Sequence, residues 1–193
     1  SDVPPTNLSH QPGTDTAPAL AVHPTAGWAA LVWAQWLPEY PDEATIWVRV
    51  QHPTTGGWQP AQGVNTGHVR EHGGEPAITI DHDGRIHVAF TQDGVPVVTT
   101  SADGGATWDT PAPVPVGGTA TALAQLHSDP EGQLHLLLMV QDGCDDCLQY
   151  VHAVRPAAGG AWALSWPFPS AGKQLRGDVA TVRLADGTLR PVV

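Results

Sequence analysis

The chain has 193 residues, only 14% of them charged, and a formal net charge of −11 with Lys173 as its one lysine. That balance offers no basic stripe to neutralise phosphates, which argues against nucleic acid or an anionic membrane surface as a partner. No apolar run reaches membrane-span length, so no membrane insertion is expected, and the length suffices for a sizeable core in one all-β domain.

Residues 1–17 are polar, rich in Pro, Ser and Thr and without periodicity, and read as an extended N-terminal segment. No signal peptide is visible; Ser1 fits a mature terminus after signal cleavage or simply an arbitrary boundary. From residue 18 a recurring unit appears. Each unit opens with a small-apolar strand ending at a glycine turn: 18–22 to Gly27, 76–80 to Gly84, and 122–126 to Gly132. A more apolar second strand follows at 28–37, 85–92 and 133–141, each closing on a glutamine: Gln35, Gln92 and Gln141. Third strands at 45–51, 95–100 and 148–154 lead to a Gly-Gly turn with a tryptophan just beyond it: Trp58, Trp108 and Trp162. Those tryptophans recur roughly every fifty residues, the length of a four-stranded propeller blade. A fourth unit begins after Pro169 and stops inside its second strand.

The units, about 18–62, 76–116, 119–170 and 177–193, make residues 18–193 an all-β partial β-propeller of four-stranded antiparallel blades, about three and a half of them. Apolar spacing of the helical kind is nowhere sustained, so no long helix is expected. A closed ring needs at least about four blades. The exposed propeller edge is therefore expected to be completed by a longer parent chain, another subunit or a second copy, in that order. The eight tryptophans, against two Phe and two Tyr, read as blade filler, with sugar stacking as the alternative for any that are exposed.

In the second unit the turn Ser101-Ala102-Asp103-Gly104-Gly105-Ala106-Thr107-Trp108 follows the β-branched run Val97-Val98-Thr99-Thr100 and reads as a tight hairpin. Asp103 can accept from turn amides, Gly104 and Gly105 supply backbone angles that other residues resist, and Ser101 and Thr107 offer hydroxyls across the turn. Trp108 can fold over the loop as a small local core. The octet resembles the Asp-box, or BNR repeat, Ser-x-Asp-x-Gly-x-Thr-Trp, and matches at Ser101, Asp103, Gly105, Thr107 and Trp108. The resemblance implies a β-propeller of the sialidase-like superfamily, with the motif stabilising the outer hairpin of a blade away from the central active site. The turns at 53–58 and 156–162 lack the Asp and read as degenerate copies.

Cys144 and Cys147 share a Gly-containing turn of the third unit. A zinc site wants four ligands, and His152 is the nearest supplement; a thioredoxin-like pair needs a helix N-terminus. A disulfide stapling the hairpin of an exported protein fits better, with free thiols as the next alternative. Asp142, Asp145 and Asp146 crowd the same loop and form a weak calcium candidate, whereas Asp81-His82-Asp83-Gly84 lacks the further ligands of a calcium loop and reads as a polar hairpin tip. His87 and His135 occupy equivalent second-strand positions, which points to packing or hydrogen bonding between blades rather than catalysis.

A sialidase-type enzyme would need the family's Phe/Tyr-Arg-Ile-Pro signature, which is absent, and a Tyr nucleophile; Tyr40 and Tyr150 are the tyrosines and the seven arginines show no matching motif. Nor is there a Gly-x-Ser-x-Gly elbow, a P-loop or a dinucleotide fingerprint. No catalytic residue and no cofactor is assigned. The chain is thus expected to be a non-catalytic binding or interaction module of an exported, extracellular or cell-surface protein, with a glycan or a cell-surface protein as its ligand. Two other readings stand beside it: part of a sialidase-like glycoside hydrolase whose catalytic residues lie outside this chain, and a structural subunit or processed fragment of a larger assembly.

Overall fold

The computed structural model describes residues 7–9, 13–70, 75–141, 148–166, 180–183 and 189–192. Every regular element among them is a strand. Three four-stranded antiparallel sheets follow one another along the chain. The first holds β1 (Thr14–Val22), β2 (Ala29–Leu37), β3 (Tyr40–Val50) and β4 (Gln62–Gly63). The second holds β5 (Ala77–Ile80), β6 (Ile86–Gln92), β7 (Val95–Ser101) and β8 (Ala112–Pro113). The third holds β9 (Thr119–Ser128), β10 (Leu134–Gln141), β11 (Leu148–Arg155) and β12 (Ala163–Ser165), and β13 (Ala180–Arg183) pairs with β14 (Leu189–Val192) as a two-stranded hairpin.

Each sheet is a meander, and its first strand packs beside the first strand of the next: β1 against β5, and β5 against β9. This is the arrangement of propeller blades around an axis, three complete and a fourth represented by its hairpin. The core lies between the sheets. Val32, Ile46 and Val48 of the first, Ile86, Val88 and Phe90 of the second, and Leu134, Leu136 and Leu138 of the third are all fully buried in one continuous cluster. Alternation explains the selection, since successive residues of a strand point to opposite faces and only one set meets the neighbouring sheet.

The repeat reading meets three departures. β1 begins at Thr14, inside the stretch read as a lead-in, because its first residues pair with β2 across a register shift between Thr16 and Ala19. There Ala17 takes a φ of 48°, as a bulge residue does. β2 ends at Leu37 as the range 28–37 had it, so Gln35 does not close its strand as Gln92 and Gln141 close theirs; Gln35 is buried and its amide donates to Asp15 Oδ1 at 3.0 Å. β3 starts at Tyr40, five residues ahead of the expected strand. Most tryptophans are filler: Trp28 and Trp33 are buried, and Trp36, Trp108 and Trp162 pack against the core, while Trp166 is 54% exposed. Trp108 therefore joins the main core rather than making a local one over its turn.

Candidate functional site

The antiparallel meander puts two kinds of connection at one end of every blade: the loop between the first and second strands, and the turn between the third and fourth. In the second blade Asp81 anchors the first of these. Its Oδ1 accepts from the Arg85 amide at 2.8 Å, and its backbone carbonyl accepts from the Gly84 amide at 3.1 Å. Its Oδ2 lies 3.2 Å from His87 Nε2, and His87 Nδ1 lies 3.0 Å from Thr100 Oγ1 on β7. The third blade repeats the device: Asp129 Oδ1 accepts from the Gln133 amide at 2.8 Å, and Asp129 Oδ2 sits 3.2 Å from His135 Nε2. His135 Nδ1 then meets His152 Nε2 at 3.1 Å, with the two rings stacked at 5.3 Å.

These pairs correct two expectations. Asp81 is not part of an exposed tip; it is buried, and only His82 and Asp83 stand out in solvent. The histidines, too, bond within their own blade rather than between blades, because Asp81 and Asp129 end the neighbouring first strands beside them. Burial holds the His87 imidazole below its usual range, although Asp81 pulls it up. A neutral His87 therefore donates from Nε2 to the carboxylate and accepts the Thr100 hydroxyl at Nδ1. His152 is pushed down to about 4, by burial first and by His135 second.

The third-to-fourth-strand turn of the second blade is held from inside. Asp103 Oδ1 accepts from Ser101 Oγ at 2.8 Å and from the Thr107 amide at 2.9 Å, and its Oδ2 accepts from Thr107 Oγ1 at 2.6 Å. Ser101 Oγ in turn accepts from the Gly105 amide at 2.8 Å. The two glycines have φ of 70° and 88°, and a Cβ on Gly105 would come within 2.6 Å of Val50 Cγ2 in the first blade. The turn is thus both a self-contained knot and a wedge against the neighbouring blade. Cys144, Cys147, Asp142, Asp145 and Asp146 lie outside the described residues.

Comparing the two blade junctions locates the candidate site. Strand registers align Ala30 with Val50 in the first blade, His87 with Thr100 in the second, and His135 with Val154 in the third. Between the first and second blades the junction is sealed. Val50 meets Gly105, Trp28 lies over Gly84, and Gln59 and Gln62 donate to the carbonyls of Gly104 and Gly105 at 3.3 and 2.7 Å. Between the second and third blades the same positions carry Thr100 for Val50, Arg85 for Trp28 and Asp109 for Gln59. What results is a polar cleft of about 400 Å³ lined by Asp81, Arg85, His87, Thr100, Asp109 and Arg155. A smaller recess of about 130 Å³ continues past Arg85 toward Asp83 and Glu131.

Arg155 ends β11 on the third-blade side of this cleft, with its guanidinium carbon 5.3 Å from the centre of the Trp162 ring. Burial lowers its pKa, and the charge of Asp109 opposes the shift. Of these cleft residues only Asp81 and His87 stood out in the sequence. The signal was there in the alignment of repeats, as a Trp-to-Arg and a Gln-to-Asp exchange at matched blade positions.

No family model matches the chain, and no curated protein matches it. Solved structures do. The Hadza microbial sialidase Hz136 superposes with a TM-score of 0.65 at 15% identity, covering 92% of this chain and 44% of that one. The polysaccharide lyase Uly1 superposes with a TM-score of 0.53 at 15% identity, covering 91% of this chain and 48% of that one. The likeness is one of fold, and the chain spans less than half the length of either protein.

Proposed function

We propose that this chain is the non-catalytic, carbohydrate-binding part of an exported β-propeller protein, and that the cleft between its second and third blades receives the ligand. One observation carries the reading: a junction that is sealed in one copy of the repeat is open and polar in the next. Where Trp28 is buried and Gln59 bonds across the first junction, Arg85 and Asp109 stand exposed at the second, so the exchange leaves charged groups open to an incoming ligand. Sugars are suited to such a cleft, because their hydroxyls pair with mixed donors and acceptors. The fold, shared with a sialidase and a polysaccharide lyase, supports the ligand class by analogy. The Ser101–Trp108 octet enters as an Asp-box stabilising the turn, and Cys144 with Cys147 as the disulfide of an extracellular protein.

A hydrolase reading stands second, on the observation that the chain covers under half of the sialidase. Catalytic groups would then be supplied from outside this chain. Glycan-array binding by the 193-residue protein, with Thr100→Val and Arg85→Ala variants beside it, tests the first reading. Retention of defined glycans, weakened in both variants, is the expected result. Retention indifferent to both variants, or none at all, overturns it. Release of a fluorophore from an aryl glycoside panel would favour the hydrolase instead.

A further inference from the structure

The second-to-third-blade cleft holds an arginine that no described neighbour satisfies. Among the described residues no hydrogen bond or ion pair engages the Arg155 guanidinium, whose carbon lies 5.3 Å from the centre of the Trp162 ring. Arg85, by contrast, has an exposed ion pair with Asp83 at 3.4 Å. A guanidinium held over an indole by a cation–π contact keeps its N–H groups free to donate, and its fork suits a planar or tetrahedral oxyanion taken by two parallel hydrogen bonds. Partial burial makes the unpaired donors costly, and an acceptor entering the cleft would remove that cost.

We propose that the cleft is an oxyanion site in which Arg155, held over the Trp162 ring, is the anchoring donor and Arg85 the flanking cation. The inference rests on the cleft proposed above and goes further by naming the chemical group it takes, a carboxylate, sulfate or phosphate oxygen set. The other charged and titratable groups on the cleft are accounted for. Asp81 and His87 are committed to each other, and Thr100 to His87. That leaves Asp109, whose carboxylate faces the same space and acts on Arg155 from a distance. It occupies the electrostatic role that an incoming anion would take over, so it competes with one. The formal net charge of −11 repels anions at long range, but screening confines that field to about 8 Å at physiological salt. Local donors then decide binding.

Asp109 gives the test opposite signs. Methyl glucuronide, inorganic sulfate, inorganic phosphate and methyl glucoside are titrated into the ¹⁵N-labelled protein, following the Trp162 indole and Arg155 side-chain N–H resonances. The anionic probes should shift both resonances saturably, and the neutral glucoside should leave the Arg155 signal in place. Arg155→Gln should weaken anion binding at least about tenfold, and Asp109→Asn, which keeps shape and removes the competing charge, should tighten it several-fold. If Asp109→Asn weakens binding, or glucoside and glucuronide shift Arg155 equally, the proposal is wrong. Should sulfate and phosphate bind while no glycan does, the oxyanion site stands and the carbohydrate reading falls. Neutral glycans bound in the cleft without any preference for anions would leave the carbohydrate reading standing and overturn the oxyanion site.

Discussion

Asp103 sits in open solvent, yet its carboxylate accepts from the Thr107 hydroxyl, the Thr107 amide and the Ser101 hydroxyl, which together hold its pKa down to about 2 from an ordinary 3.8. A carboxyl group with a depressed folded pKa contributes stability that is fully present above 3.8 and is lost as pH falls through about 2. Asp103→Ala should therefore lower Tm clearly at pH 7, and the gap to the parent protein should narrow between about pH 4 and pH 2. Scanning calorimetry across that range checks it, with ligand binding at neutral pH expected to be unchanged once the variant is folded. A gap that stays constant through the whole range would mean the charge is not what the turn uses. The residue types and the turn were legible in the octet, because all the partners lie within it. By contrast, the Asp81–His87–Thr100 and Asp129–His135–His152 sets draw on neighbouring strands. The repeat flagged His87 and His135 but could not say whom they bond.

At the scale of the element, the second-blade turn is a wedge as well as a knot. Gly104 and Gly105 both have positive φ, yet a Cβ on Gly104 meets nothing within 4 Å, whereas one on Gly105 meets Val50 Cγ2 at 2.6 Å. Gly104→Ala should cost only the backbone strain, about 1 kcal/mol; Gly105→Ala should add overpacking and reach about 2–4 kcal/mol. Adding Val50→Ala should recover part of the second loss and none of the first. Urea midpoints of the single and double variants decide it, and equal costs at the two glycines would show that the inter-blade contact carries no weight. The glycine pair was plain in the sequence as turn chemistry. Its second role needed the first blade in place, since Val50 is distant in the chain and meets the turn only across the junction.

At the scale of the molecule, the outer strands of the three four-stranded sheets are short, Gln62–Gly63, Ala112–Pro113 and Ala163–Ser165, which limits the backbone each of these blades exposes at its rim. The inner edge is different. β1 pairs with β2 alone within its sheet, and Leu20 and Val22 on it are 60% and 53% exposed. Apolar side chains exposed on the face of a strand favour association. The 193-residue protein is expected to self-associate at high concentration, through a face that a longer parent chain, another subunit or a second copy would cover. Light scattering after size exclusion reads this directly, with Leu20→Lys and Val22→Lys as the variants that should restore a monomer. A strict monomer for the parent protein at high concentration would show that the edge needs no cover.

Strand number, blade length and the order of turns were set by local pattern: alternation, glycine placement and a tryptophan returning with each unit, all of which act between residues near in sequence. Where the strands begin was less legible, as β1 and β3 show, because cross-strand pairing with β2 extends them beyond their own propensity. The repeats held the exchanges that open the cleft, but only the tertiary structure brings its residues together. Arg85, Thr100, Asp109 and Arg155 are ordinary surface residue types, scattered over two units of the repeat. They become a site only when two blades pack side by side and the junction between them stays open, with Arg85 and Asp109 at the positions where Trp28 and Gln59 close the one before it.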